Sequence, residues 1–425
     1  MTHAPSGLNW RCIARCRPGV TPGGAPRFHY KNKSKRKAPK MPLSHGLTGL
    51  AAIKEVAKND AAFKARAARN GRWPDGRTGS ETAHRRRLAL GRGRFFKHNT
   101  PAFSNMTDDA LHPGSAGQPL WAAIDLGSNS FRLEIAQQEG PRFRRLQYLK
   151  ETVRLGGGIN EAGLLSPEAM QRGWQCLAQF AQHLRAVQPA HVRAVATQTL
   201  REAGNAAVFL QKAQQVLGLP VAVISGHEEA AFIYRGVTSL LPDNDERRVV
   251  VDIGGRSTEV IIGSGAQAQD MESYPIGSVT CSQRHFARGQ FTEQIFASAQ
   301  AHAREVLADI ATRFARPRWD AAYGASGTVG AVLSALRKSG RISVDGDIAL
   351  SQLYWLRQRL IEAGDINALN MPGIREDRKA IIGGGLSTLI VLFELLDIDA
   401  MRRGHGALRH GLFQAMREET QTPAA

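Results

Sequence analysis

The sequence predicts an α/β protein of two duplicated lobes that face each other across a cleft. The first observation behind this expectation is a repeat. Ala122-Ala123-Ile124-Asp125-Leu126-Gly127-Ser128-Asn129-Ser130 and Val249-Val250-Val251-Asp252-Ile253-Gly254-Gly255-Arg256-Ser257 share one design, an apolar strand running into a tight turn. One offset of 127 residues aligns Asp125 with Asp252, Gly127 with Gly254, Ser130 with Ser257 and Ile135 with Ile262. The second observation is that strand-like and helix-like patterns alternate from residue 119 onward, as in layered α/β folds. The third is that polar residues follow several strands directly, where open α/β sheets keep their ligands.

In chain order, Leu133–Ala136 and Gln147–Lys150 read as further strands of an antiparallel meander, followed by a loop at Gly156-Gly157-Gly158. From Ser166 to Val187 the periodicity predicts an amphipathic helix. Ser166 can cap it, Pro167 suits its first turn, and Met170, Trp174, Leu177, Ala181 and Leu184 share one face. Val192–Ala196 leads into Thr197-Gln198-Thr199-Leu200-Arg201, and Val221–Ile224 leads into Ser225-Gly226-His227-Glu228-Glu229-Ala230. Leu241-Pro242-Asp243-Asn244-Asp245 marks a break between lobes. The second lobe repeats the motif from Arg247, adds the small-residue turn Gly324-Ala325-Ser326-Gly327-Thr328, and closes through Asp377-Arg378-Lys379, Gly383-Gly384-Gly385 and Gly404–Arg409. The expected organisation is a basic, disordered extension over 1–118, an N-terminal lobe over 119–243 and a C-terminal lobe over 244–425.

The formal charge of +19 is unevenly placed. Residues 1–118 hold 23 of the 56 Lys and Arg but 6 of the 37 Asp and Glu, leaving 33 and 31 for the remainder. The basic character therefore belongs to the extension, and nucleic-acid binding is not expected of the folded part. The extension carries no secretory h-region; translation from Met106 and an Arg-rich targeting segment are alternatives to a disordered tail. No run of about 18 apolar residues suggests a membrane span. Cys12, Cys16, Cys176 and Cys281 read as free thiols, the default inside a cell, so a soluble cytoplasmic protein is expected. The histidines lack metal-ligand spacing and are given no ligand role. A homodimer stays open.

The repeated turn has a specific chemistry. Glycine allows close approach of the backbone, and successive N–H groups with serine hydroxyls supply donors to phosphate oxygens. An aspartate at each strand end adds a hard oxygen ligand for Mg²⁺, the usual companion of bound phosphates. Glu228 and Glu229 stand at the start of a helix, where acidic residues also stabilise the dipole. Adjacent helical positions point about 100° apart, so at most one of the two faces the cleft.

Five ordered motifs, Asp125–Ser130, Ser225–Ala230, Asp252–Glu259, Gly324–Thr328 and Gly406–Arg409, together resemble the exopolyphosphatase and guanosine pentaphosphate phosphohydrolase family over about residues 119–418. The resemblance implies the actin-like, ribonuclease H-like duplicated fold and Mg²⁺-dependent hydrolysis of a terminal phosphoanhydride in polyphosphate or guanosine pentaphosphate. It implies that Asp252 and Glu259 help hold the metal, and that Ser128, Asn129, Arg201, Gly254, Gly255, Arg256 and Ser257 hold phosphates. Glu229 would orient or deprotonate the attacking water. The family's second loop usually reads Gly-Gly-Gly, and Arg256 stands at its third glycine; a phosphate contact is expected of its guanidinium. The chain looks like the short, two-lobe form. Two competing readings remain. One is a sugar kinase or ATPase of the same fold, with adenosine at Gly383–Gly385. The other is a non-catalytic polyphosphate or alarmone sensor.

Overall fold

The computed structural model describes residues 119–421; the extension expected over 1–118 lies outside the described residues. The first half of the described chain builds one five-stranded sheet. β1 (Leu120–Leu126), β2 (Phe131–Glu139) and β3 (Arg142–Glu151) form the antiparallel meander, and a single 3-10 turn occupies Gly156–Gly158. α1 (Pro167–Val187) follows. Its cap is as expected, with Ser166 Oγ accepting from Ala169 N at 3.2 Å and Pro167 in the first turn. Then come β4 (His191–Ala196), the short α2 (Gln198–Glu202), α3 (Ala206–Leu217), β5 (Val221–Val223) and α4 (Gly226–Thr238).

The second half repeats this plan with longer helical crossovers. It runs β6 (Arg247–Ile253), β7 (Thr258–Ser264), β8 (Gln267–Tyr274), α5 (Ser278–His285), α6 (Glu293–Val306), α7 (Ile310–Arg313), β9 (Ala321–Gly324) and α8 (Gly327–Lys338). α9 (Leu350–Ala363), α10 (Glu376–Leu396), β10 (Met401–Arg403) and α11 (Leu408–Gln421) complete it. The sheet orders are β3-β2-β1-β4-β5 and β8-β7-β6-β9-β10, one topology used twice. The duplication extends to an irregularity. The β2–β3 register shifts between Ile135 and Ala136, and the β7–β8 register shifts between Ile262 and Gly263, at equivalent places.

Each sheet has two faces to bury. α1 and α3 cover one face of the first sheet over Leu133, Ile135, Leu177, Phe180 and Phe209, and the second sheet has its own core around Val251, Phe296, Val332 and Leu389. The remaining two faces share a third core, in which Trp121, Ala123 and Val195 of the first sheet meet Val250, Ile261 and Tyr323 of the second through Ile233, Tyr234, Leu412 and Phe413. α4 lies against β7 and β8, while α11 returns to β1 and packs along α4. The expected division at 243/244 falls in the turn between α4 and β6, yet the helices on either side of the shared core are exchanged relative to the sequence. Glycines make this crossing close: a Cβ on Gly411 would lie 1.9 Å from the Phe232 carbonyl oxygen, and one on Gly236 would lie 2.1 Å from that of Ala407.

One helix differs from the sequence expectation about membranes. α10 is long and apolar enough to span by length and composition, and 72% of its most apolar window is buried within the fold. Its apolarity serves the core of the second lobe.

Candidate active site

β1 and β6 deliver Asp125 and Asp252 to the floor of one cleft, and the turns after them approach from opposite sides. The approach demands glycine at one point. A Cβ on Gly255 would stand 2.9 Å from Ser128 Cβ and 3.2 Å from the Asn129 nitrogen, so any side chain there would push the loops apart. The cleft has a volume of about 550 Å³ and is lined by Ser128, Asn129, Gly254, Gly255 and Ser257 together with Asp125, Asp252 and Glu229.

Glu229 reaches this cleft because of how α4 begins. Ser225 Oγ accepts from Glu228 N at 3.2 Å while Glu228 Oε2 accepts from Ser225 N at 2.8 Å. That reciprocal capping box engages Glu228 and turns Glu229 inward, where it is buried. Arg201 Nη1 donates to Glu229 Oε2 and to the Ile224 carbonyl, both at 2.8 Å.

The electrostatics follow from concentrating carboxylates away from water. Burial pushes the Glu229 carboxyl up to about 7 against the pull of Arg201, with Asp125 and Asp252 adding to the rise. Burial raises Asp252 to about 6; Arg132 opposes the shift and Asp125 adds to it. Glu259 is the direct cross-strand partner of Asp252, which places the two side chains on one face. Burial holds it well above the usual carboxylate range, helped by Glu229 and Asp252. Among the described residues no three His, Cys, Asp or Glu stand close enough to form a complete metal cage. An oxygen-only donor set crowded with negative charge nevertheless suits a hard divalent cation that fills its sphere with water and substrate oxygens. Asp252, which lines the cleft, fits Mg²⁺ in that sense, and Glu259 stands behind it as its cross-strand partner.

Three expected site residues lie off the cleft surface. Glu259 is 1% exposed, with Ser273 Oγ donating to its Oε1 at 2.8 Å. Arg201 is turned to Glu229. Arg256 does not line the cleft: its Nε donates to Glu202 Oε2 at 2.7 Å and its Nη1 to the Gly156 carbonyl at 3.1 Å. Two of the five guanidinium N–H donors are thereby directed at a carboxylate and a carbonyl on the facing lobe and not at the cleft. Ser326 and Thr328 have structural work: Ser326 Oγ accepts from Thr328 N and Val329 N at the start of α8, and Thr328 Oγ1 donates to the Ile253 carbonyl.

Sequence reasoning missed a basic wall along the same cleft. Arg132 is the cross-strand partner of Asp125 and donates to its Oδ2 at 2.9 Å; the strand alternation of β2 could have shown it. Lys150 and Arg378 line the wall as well. Burial pushes the Lys150 amine down to about 8, with Arg378 and Arg132 adding to the fall. Arg378 is 9% exposed. No local pattern brings β3 and α10 together, so the meeting of these two residues in one cleft was invisible in sequence.

A family model described as the Ppx/GppA phosphatase family matches residues 134–419. Among similar solved structures, an exopolyphosphatase-like protein shares 26% identity, covering 71% of this chain and 99% of its own at a TM-score of 0.65. An exopolyphosphatase from Cytophaga hutchinsonii shares 26% identity, with 70% and 98% covered and a TM-score of 0.61. A PPX-GPPA enzyme from Aquifex aeolicus shares 25% identity, with 70% and 100% covered and a TM-score of 0.58. The fold is the two-lobe actin-like one.

Proposed function

Because the chain belongs to the Ppx/GppA phosphatase family, we propose that it is a Mg²⁺-dependent hydrolase that releases the terminal phosphate of inorganic polyphosphate, of guanosine pentaphosphate, or of both. The observation that carries this reading is that Glu229 and both glycine loops open on one cleft. Phosphoanhydride hydrolysis needs an aligned water and neutralised charge, with little covalent chemistry from the protein. Backbone N–H groups of 127–130 and 255–257, with the Ser128 and Ser257 hydroxyls, hold phosphate oxygens. Glu229, with its carboxyl near neutrality, takes the proton of the attacking water, as suits a general base at physiological pH. Arg201 fixes the orientation of that carboxylate. Asp252, with Glu259 behind it, would hold Mg²⁺, which when bound would supply charge neutralisation at the phosphates. The basic wall of Arg132, Lys150 and Arg378 draws an extended polyanion into the cleft.

The kinase or ATPase reading loses its nucleotide loop. Gly383–Gly385 lie within α10, where Cβ atoms would meet Phe286 at 2.7 Å, Ser282 at 2.5 Å and Thr328 at 2.6 Å. They are there for close packing. The deciding experiment measures phosphate release by the purified chain with Mg²⁺, offering polyphosphates of several lengths and guanosine pentaphosphate in parallel. Release from at least one is expected; release from none refutes the proposal.

A further inference from the structure

We infer that Arg256, Glu202 and Gln198 form a positioning relay that holds Arg201 against Glu229, joining the second phosphate loop to the base. The inference rests on the reading of Glu229 as the residue that activates water. The side chains form an unbroken series of hydrogen bonds. Arg256 Nε donates to Glu202 Oε2 at 2.7 Å, and Gln198 Nε2 donates to Glu202 Oε1. Arg201 Nε then donates to Gln198 Oε1 at 3.1 Å, and Arg201 Nη1 donates to Glu229 Oε2 at 2.8 Å. Only this orientation of the Gln198 amide works, since the reverse would set its oxygen against a carboxylate and its N–H groups against a guanidinium.

The relay has something to hold. α2 carries Gln198, Arg201 and Glu202 but is five residues long, and its Thr197 cap makes no side-chain hydrogen bond. A helix this short is not stable on its own, so tertiary tethers set where Arg201 points. Arg256 is such a tether. Its stem packs over Gly156 so closely that a Cβ there would lie 2.8 Å from Arg256 Cδ and 2.8 Å from Thr199 Oγ1 on α2. Its guanidinium reaches two acceptors from two separate nitrogens, Glu202 Oε2 from Nε and the Gly156 carbonyl from Nη1, a fixed planar geometry that the single nitrogen of a lysine does not reproduce. The arginine side chain is 15% exposed and the Glu202 side chain 31%, so the pair is shielded at its arginine end and open to water at its glutamate end. Arg256 thus acts on the reaction through Arg201, as a positioning residue and not as a phosphate ligand.

The test compares Arg256→Met, Gln198→Ala, the double variant and Arg256→Lys in the full chain by steady-state phosphate release. Each of the first two is expected to lower kcat by about tenfold to a hundredfold, the scale of a misplaced catalytic group, with KM unchanged. The double variant should lose no more than the worse single one, because both cut the same relay. Arg256→Lys should recover part of kcat. Multiplied losses in the double variant, an unchanged kcat, or a raised KM at constant kcat would each overturn the relay; the last would make Arg256 a phosphate ligand. If Arg256→Met does not fold, Gln198→Ala, at a half-buried site, carries the kcat measurement by itself. If the unaltered chain releases no phosphate from any substrate, the functional reading has failed. The relay is then judged by a crystal structure of Arg256→Met or Gln198→Ala. A retained Arg201–Glu229 pair would overturn it, and a displaced Arg201 would support it.

Discussion

Arg409 Nε lies 3.1 Å from Glu134 Oε2, so two side chains 275 positions apart meet where water barely reaches. The contact ties the first turn of α11 to β2. Arg145 Nε stands 3.1 Å from Glu134 Oε1, and Arg409 Nη1 also approaches Asp125 Oδ2 at 3.5 Å. The last helix of the chain is thereby locked to the strand pair that carries the first cleft aspartate. Arg409→Met leaves a buried carboxylate short of its partner, and loss of about 3 kcal/mol of stability is expected for such a change. Urea unfolding of the two proteins measures it, and equal midpoints would show the pair to be energetically neutral.

Acidification should weaken the same junction. Ala407 N donates to His410 Nδ1 at 3.1 Å, which leaves the ring proton on Nε2, 3.5 Å from Glu134 Oε1. Burial pushes the His410 imidazole down to about 4, although Glu134 pulls the other way. Between about pH 6.5, where an unfolded histidine titrates, and about pH 4, the unfolded chain therefore binds a proton that the folded chain refuses. Stability falls as pH drops through that window, by roughly 2 kcal/mol between pH 7 and pH 5 from this one group. Denaturation curves at the two pH values, repeated with His410→Asn, give the measurement; the variant should show the smaller difference.

Gly411→Ala should destabilise the α4–α11 crossing. The added methyl would press on the Phe232 carbonyl, a backbone group that cannot swing aside, and overpacking of this kind costs about 1–3 kcal/mol. A lowered melting temperature is expected. An unchanged one would mean that the helices can separate freely.

Glu229→Gln keeps the size and removes the base. Turnover should fall by about 10²–10⁴-fold, the usual contribution of general base catalysis, while affinity for a non-hydrolysed polyphosphate analogue is retained. Near-normal turnover would remove Glu229 from the mechanism.

Chelation of divalent cations should abolish phosphate release, and Mg²⁺ should restore it. Asp252→Asn should raise the Mg²⁺ concentration needed for half-maximal release, since one hard anionic oxygen is lost. Full activity in the presence of a chelator would exclude the metal role proposed for Asp252 and Glu259.

The sequence by itself determined whatever is local or repeated. Two apolar strands at one offset gave the duplicated sheets, down to the matching register shifts after Ile135 and Ile262. Ser166 and Pro167 specified the start of α1, because a cap and a first-turn proline act within a few residues. Ser225 and Glu228 likewise fixed which of two adjacent glutamates turns inward. Only the tertiary structure decided which distant groups meet. Arg256 faces Glu202 and the Gly156 carbonyl because the two lobes close on each other there, and no pattern around Arg256 encodes that neighbour. The basic wall of Lys150 and Arg378, and the return of α11 to the first sheet, have the same origin. Each depends on packing two sheets around a shared core, and long-range burial leaves no periodicity in the sequence to announce its partner.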